Sequence, residues 1–366
     1  MKEKKNFKIK LVPDVLKALR ETSGYSIDEV AKKLKTSEEK VKAGEGGKSS
    51  VTLTQIKKLA DMYDRPLVVF FSDSVLKLPD LIDYRINREK KLTPQVYSAE
   101  RRAKYLSEQI KDLSNKESQI PSFPEKLSPE ELAKEFKKYL RTDSTKFEKP
   151  QKKLTYYKKI LEDILTTVII EYPLKADDVR AFSIFSDISA IVLNEDDKPS
   201  IKLFSLFHEV CHLLKRNAGI CSLDIEEDDQ GIETYCNQFA AEFLIPSDDL
   251  KNEVKKFMRI DEEEINKLTE TYEVSKQTMM IRLLRLGYIE KETYRAFKDE
   301  INEKKIEVVS EQKKFGRRNW DKIYLNRIGN LSLQEVKKAY NKENITFYEA
   351  SDILDLKTKY TERFIT

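Results

Sequence analysis

The sequence predicts a multi-domain, mainly α-helical protein with one small β-sheet in its second half. Two observations carry this. The 366 residues include only 9 Gly and 11 Pro, too few turn residues for an all-β sandwich or barrel. Apolar residues recur at helical spacing along most of the chain, while the stretch Arg180–Asn194 alternates as two short strands do. At about 100–200 residues per domain, the length accommodates two or three domains. With 17 Tyr and 17 Phe the chain has the aromatic content to bury a core and is not disordered.

Charge excludes some functions. The 68 Lys and Arg are balanced by 64 Asp and Glu, for a net charge of +4, so the chain is neither a basic nucleic-acid coat nor an acidic tail. Its 3 cysteines, Cys211, Cys221 and Cys236, are irregularly spaced, which argues against a disulfide framework and for a reducing compartment. The basic start MKEKKNFKIK has no apolar segment behind it. The longest apolar runs, Leu67–Phe71 and Val168–Ile170, fall well short of the roughly 20 residues of a membrane helix. A cytoplasmic protein with no membrane contact is expected.

In chain order, residues 1–75 read as a run of short helices. Val12, Val15, Leu16 and Leu19 keep helical spacing, and Ser26 with Glu29 forms a capping-box pattern ahead of a second helix, SIDEVAKKL. Thr36 or Ser37 starts a third, EEKVKAG; Leu53, Ile56, Leu59 and Ala60 mark a fourth; PLVVFF closes the unit. On GYSIDEVAKKLKTSEEKV and TLTQIKKLADMYDRPLVVFF this segment resembles the helix-turn-helix domain of phage repressors and related bacterial regulators. DNA binding is nevertheless doubtful. The third helix, which would enter the major groove, begins with Glu38 and Glu39 and is followed closely by Glu45, and carboxylates there are repelled by phosphate. Lys40 and Lys42 offset this in part, as could Lys2, Lys4, Lys5, Lys8 and Lys10 on the N-terminal arm. Gly44 stands where such domains usually place a large aromatic. The expectation is a domain that docks a protein, and no DNA-binding residue is assigned.

Residues 76–149 form a charged connector, with helices at YSAERRAKYLSEQIKDL and SPEELAKEFKKYL and Pro121, Pro124 and Pro129 between them. Arg85, Arg88, Arg101, Arg102 and Lys104 could contact phosphate, but solvated helix faces are the favoured reading. A third domain core spans 150–260. Its first helix, LTYYKKILEDILTTVII, runs into the alternating stretch, and two largely apolar helices follow, KLFSLFHEVCHLLKR and IETYCNQFAAEFL, the latter ended by Pro246.

The chemistry is concentrated in one turn. The chain's 2 histidines are His208 and His212, with Glu209 between them, in HEVCH. Positions i and i+4 of a helix share a face, so the two imidazoles can bind one tetrahedral zinc while Glu209 reaches a water beside it. A buried apolar helix that keeps two His and a Glu needs such a reason, because unpartnered polar groups are costly in a core. Catalytic zinc takes three protein ligands, and no further His exists, so the third is a carboxylate or a Cys. Glu233, on the next helix, is the favoured choice; Asn237, one turn on, could hold a ligating His by a hydrogen bond. The competitors are the acidic run Glu226, Glu227, Asp228 and Asp229, which also reads as a solvated loop, and the three cysteines.

HEVCH, the upstream AIVLN and the downstream ETYCNQFAAEFLIP together resemble the ImmA/IrrE zinc metallopeptidases. The resemblance covers roughly 150–300. It implies a gluzincin-like HExxH fold, a mainly α domain around a small sheet, with one Zn2+ per chain on His208, His212 and Glu233 and with Glu209 as the catalytic acid/base. It also implies that INKLTETYEVSKQTMMIRLLRLGYI, within 261–300, is a second helix-turn-helix-like segment. Cys211, where many relatives carry Gly, and Tyr235, where a polar residue is more usual, depart from the pattern without removing a ligand. Residues 301–366 match only loosely and read as a helical region of open role. Family members cleave helix-turn-helix repressors under stress, so a repressor-type protein is the implied substrate. Three functions follow: a selective peptidase, a DNA-binding regulator whose metal site senses or stabilises, and one half of a toxin–antitoxin-like pair.

Overall fold

A computed structural model describes residues 8–9, 11–73, 92–142, 147, 149–176, 179–216, 220–221 (backbone only), 231–297 and 319–366. Lys2, Lys4, Lys5, Lys10, Arg85, Arg88 and the acidic run 226–229 lie outside the described residues, as do the side chains of Lys8 and Cys221. The chain divides into two compact units: Met1–Arg102 with Pro173–Asp177, and Ala103–Tyr172 with Asp178–Thr366. No described helix is long and apolar enough to cross a membrane.

In the first unit, helices α1 (Pro13–Glu21), α2 (Ile27–Leu34), α3 (Glu38–Glu45) and α4 (Leu53–Tyr63) precede a 3-10 turn at Leu67–Phe71, and the short strands β1 (Lys8–Ile9) and β2 (Val51–Thr52) pair antiparallel. Local sequence sets the helix starts: Ser26 with Glu29 and Thr52 with Gln55 are both complete capping boxes, each satisfying two otherwise unpaired backbone groups. Lys35 and Asp64 end α2 and α4 in the left-handed region. Val15, Leu19, Val30, Ile56 and Phe70 fill the core, and Tyr63 stacks on Tyr25 and Phe70 at centroid distances of 5.5 and 6.0 Å.

Two sequence expectations change here. Glu45 does not face outward as a free acid. Arg20, nearly buried on α1, donates to both its carboxylate oxygens at 2.7 and 3.0 Å, so only Glu38 and Glu39 remain as acids at the start of α3. Arg101, half-buried, is not simply a solvated helix-face residue either. Its guanidinium donates to the carbonyls of Thr22 and Tyr63, at 3.2 and 2.8 Å, and so satisfies the C-terminal ends of α1 and α4. A basic residue on an amphipathic helix gives no local hint of such a distant acceptor.

The boundary between the units falls inside α5 (Pro94–Ser114). The second unit continues with α6 (Pro129–Leu140) and α7 (Pro150–Leu165), then β3 (Val168–Tyr172), β4 (Ala181–Ile184) and β5 (Ala190–Asn194). Helix α8 (Pro199–Leu214), β6 (Ile220–Cys221) and helices α9 (Ile232–Leu244), α10 (Ser247–Val254), α11 (Glu262–Tyr272) and α12 (Lys276–Arg285) follow. Four C-terminal helices complete the described chain: α13 (Trp320–Ile328), α14 (Asn330–Asn341), α15 (Phe347–Leu354) and α16 (Thr358–Ile365). The sheet order is β3-β5-β4-β6, with β3 and β5 parallel and the other pairs antiparallel. The chain is thus mainly α with a small sheet, as the sequence predicts.

The sheet corrects two details. Helix α7, read from sequence as LTYYKKILEDILTTVII, does not reach Ile170. It stops at Leu165, where Thr166 turns left-handed at φ 50°, and the β-branched run Thr167–Ile170 enters β3 instead. The strands also do not alternate between core and solvent. All of β4 and β5 is buried, because α8 packs on these strands while α13 and α14 pack against β3.

The C-terminal helices are tied to the sheet through a buried carboxylate. Glu162 of α7 accepts the backbone N–H groups of Asn330 and Leu331 at the start of α14, at 2.8 and 3.2 Å, and burial pushes its pKa up to about 7. Gly329 makes the approach possible. Its φ is +81°, and an added Cβ would lie 2.9 Å from the Ile169 carbonyl oxygen and 3.0 Å from Glu162 Oε1. Gly329→Ala is therefore expected to lower stability by about 1–3 kcal/mol, measured by chemical denaturation of the full chain. An unchanged midpoint would mean that α14 shifts at no cost.

Candidate metal centre

Helix α8 begins with Pro199 at its first turn, and every residue from Lys202 to Leu214 is buried. Its start is held over the sheet by a buried charge cluster. Lys202 Nζ donates to Glu171 Oε2 of β3 at 2.6 Å and to the Glu195 carbonyl at 2.8 Å; Lys158 of α7 donates to the other Glu171 oxygen at 2.9 Å. Burial raises the Glu171 carboxyl, but the two lysines outweigh it and hold it below its ordinary range. The helix therefore presents His208, Glu209 and His212 at a fixed position in a core, each at most 2% exposed.

Helix α9 lies against α8, with the small Ala240 and Ala241 buried on it. Its placement depends on a contact the sequence pattern does not reveal. Arg282 of α12, buried, donates to Glu242 of α9 and to the Ile245 carbonyl at 3.1 Å, while the Ser247 N–H donates to Glu242 Oε1 at 3.1 Å. The only sequence signal for it was a glutamate inside the apolar run AAEFL. Tyr235, one of the departures noted above, donates its hydroxyl to the Leu127 carbonyl at 2.7 Å and so fastens the start of α9 to the segment ahead of α6.

These two helices bring His208, His212 and Glu233 together. The imidazole Nε2 atoms are 3.1 Å apart; Glu233 Oε2 is 3.3 Å from His208 Nε2, and Oε1 is 3.5 Å from His212 Nε2. One ligand atom from each residue lies within 4.8 Å of the others, the one such group among the described residues. Asn237, one turn along α9, accepts from His208 Nδ1 at 2.9 Å through Oδ1. That tautomer leaves Nε2 as a lone pair aimed at the cluster. Burial raises the Glu233 carboxyl, but the two imidazoles beside it outweigh this and hold the group well below the usual carboxylate range.

Glu209 sits beside this cluster, fully buried. Burial pushes its pKa up, opposed by His212, His208 and the nearby Ser183 of β4. Its Oε2 makes no hydrogen bond among the described residues. Ser183 has no equivalent in the sequence reading, since a serine inside a strand carries no motif. Cys211 and Cys236 lie in the apolar core and join no metal-capable group among the described residues.

The donor set suits zinc. Tetrahedral ligands at about 2.0–2.1 Å are separated by edges of roughly 3.3–3.4 Å. The observed separations of 3.1, 3.3 and 3.5 Å are close to such edges, and they bring two imidazole nitrogens and a carboxylate to one point. When both Nε2 atoms are unprotonated, as metal ligation requires, their lone pairs repel at this distance and a cation between them removes the repulsion.

Comparison with known families finds two domains. Residues 163–284 match the model of the IrrE N-terminal-like domain. The chain carries an IrrE-like peptidase domain. The match spans β3 through nearly all of α12, and with it His208, Glu209, His212, Glu233 and Asn237. Residues 14–69, which span α1 to α4, match a helix-turn-helix domain. No curated protein matches the chain.

Proposed function

We propose that this protein is a zinc-dependent endopeptidase, carrying one Zn2+ per chain on His208, His212 and Glu233, that cleaves a partner protein. The partner is a helix-turn-helix repressor, and the setting is a cytoplasmic switch responding to stress or to a mobile element. The observation that carries this reading is the convergence of the three donor groups beside a buried, unsatisfied carboxylate oxygen on Glu209. Zinc bound there supplies Lewis-acid chemistry, polarising a peptide carbonyl and acidifying water. Glu209 Oε2 accepts the proton from the attacking water and returns it to the leaving amine. Its burial raises its basicity toward that task. Asn237 keeps the His208 Nδ1 protonated, which aims Nε2 at the centre. The reading keeps the segments expected from sequence: 1–75 for partner docking, 76–149 as connector, 150–260 as peptidase core, 261–300 as a second helix-turn-helix-like segment and 301–366 as a C-terminal helical region of open role.

A second reading, a DNA-binding regulator whose metal site is structural or sensory, gains from the Arg20–Glu45 pair, which removes one acid from the face expected to repel DNA. One experiment separates the two. The purified full chain is analysed for zinc and incubated with helix-turn-helix repressors from the same cell. Stoichiometric zinc with cleavage of the partner supports the peptidase. Zinc without cleavage favours the regulator, and a chain that binds no zinc overturns both.

A further inference from the structure

The last helices of the chain repeat the local geometry of the helix-turn-helix in the first unit. There, α2 ends at Leu34, Lys35 turns left-handed at φ 55°, and α3 starts at Glu38. Near the C-terminus, α15 ends at Leu354, Asp355 turns left-handed at φ 52°, and α16 starts at Thr358. All four helices are 8 residues long. The hydrogen bonds agree position by position. Thr36 N–H donates to the Ala31 carbonyl as Leu356 N–H donates to that of Ser351, both at 3.0 Å. Ser26 with Glu29 and Thr346 with Glu349 are equivalent capping boxes. Val30 and Val41 are buried, as are their counterparts Ala350 and Thr361. Helices α14, α15 and α16 also pack on one another, as the three helices of such a domain do.

The turn between α11 and α12 has the same form, with Glu273 left-handed at φ 56°, so three such pairs can be compared by what their second helix shows to solvent. In α3, Glu38 and Glu39 occupy the first turn, where they would meet phosphate. In α12, Met279, Met280, Arg282 and Leu283 are buried and Gln277 is the one exposed residue, so this helix belongs to the peptidase core. In α16 the first turn holds no acid. Lys357 at its start is exposed, as are Thr358, Lys359 and Arg363, and neither lysine pairs with an acid among the described residues. Arg363 pairs with Asp321 of α13, and Glu362 is the one acid on α16 itself. Tyr348, in the first turn of α15, is 79% exposed. The first helix of such a motif crosses the DNA backbone, where a tyrosine hydroxyl can donate to phosphate.

We infer that α15 and α16 form a helix-turn-helix through which this chain binds duplex DNA, with α16 as the helix presented to the groove. The inference does not depend on the reading of the metal centre. The test is fluorescence anisotropy of a labelled duplex of mixed sequence, titrated with the full chain at low and at physiological salt. Reversing both lysines, Lys357→Glu with Lys359→Glu, should weaken binding by roughly tenfold or more and reduce its salt dependence by about two phosphate contacts. Lys357→Gln with Lys359→Gln, which removes the charges without adding new ones, should weaken binding in the same sense by less. Lys40→Glu with Lys42→Glu on α3 should leave the affinity within about twofold. All of these variants should keep the unfolding midpoint of the unaltered chain, because the four lysines are exposed. A full chain that binds no duplex at low salt would overturn the inference. So would unchanged binding after reversal of the α16 lysines, as expected if α16 docks a protein, or a larger loss from the α3 pair.

Discussion

Glu209→Gln is expected to retain zinc and to lose cleavage of the partner protein by on the order of 10²–10⁴-fold. Glutamine nearly matches the shape of glutamate, so the buried position on α8 should tolerate it. What the amide cannot do is accept and return a proton, the role assigned to Glu209 Oε2. Glutamine also keeps a side chain opposite Ser183 of β4, which alanine would not. The measurements are zinc content by elemental analysis and single-turnover cleavage of the partner, both on the full chain. Equal cleavage rates for the variant and the unaltered protein would remove Glu209 from the mechanism. Loss of zinc together with activity would make it a structural support of the centre instead.

The second large effect concerns the ligands. The double variant His208→Ala, His212→Ala is expected to lose stoichiometric zinc altogether. Glu233→Ala, which keeps both imidazoles and removes the carboxylate, should weaken zinc binding by at least tenfold. Asn237→Ala should act through His208 alone, freeing the ring and lowering zinc affinity by about 10–100-fold. Competition with a chromophoric chelator gives all three values. Zinc retained at one per chain in the double variant would place the metal elsewhere. The unfolding midpoint of the unaltered chain should rise with added zinc, because a ligand that binds only the folded state stabilises it. That zinc-dependent rise should be missing from the double variant. The ordering of effects separates direct ligation from positioning, since a residue that only orients another cannot cost more than the residue it orients.

How much of this was legible in sequence differs from element to element. The helices of the first unit announce themselves through local chemistry. Ser26 and Glu29 cap α2 as a reciprocal pair, and that pattern needs only four adjacent residues to be read. The end of α7 was not legible. Leu161 and Leu165 continue a helical period into Val168 and Ile169, and only the pairing of β3 with β5 decides that the β-branched run leaves the helix. The alternation expected of β4 and β5 failed for a related reason, because burial on both faces of a sheet depends on what other elements cover it. Glu45 was misread because its partner, Arg20, is 25 residues away, and charge counted along one helix cannot include it.

By itself the sequence determined the chemistry of the candidate centre. Its two histidines sit one helical turn apart with Glu209 between them, and a short-range periodicity is enough to place them on one face. It also narrowed the third donor to a few carboxylates and cysteines, because no further histidine exists. Only the tertiary structure decided which of the described candidates meets the pair. Glu233 reaches both imidazoles because α9 packs across α8, and α9 is held there by Arg282 from a helix 40 residues further along the chain. Such a choice depends on the packing of distant elements, for which neighbouring residues carry no signal, whereas helical spacing is a property of a few consecutive residues and is written in them directly.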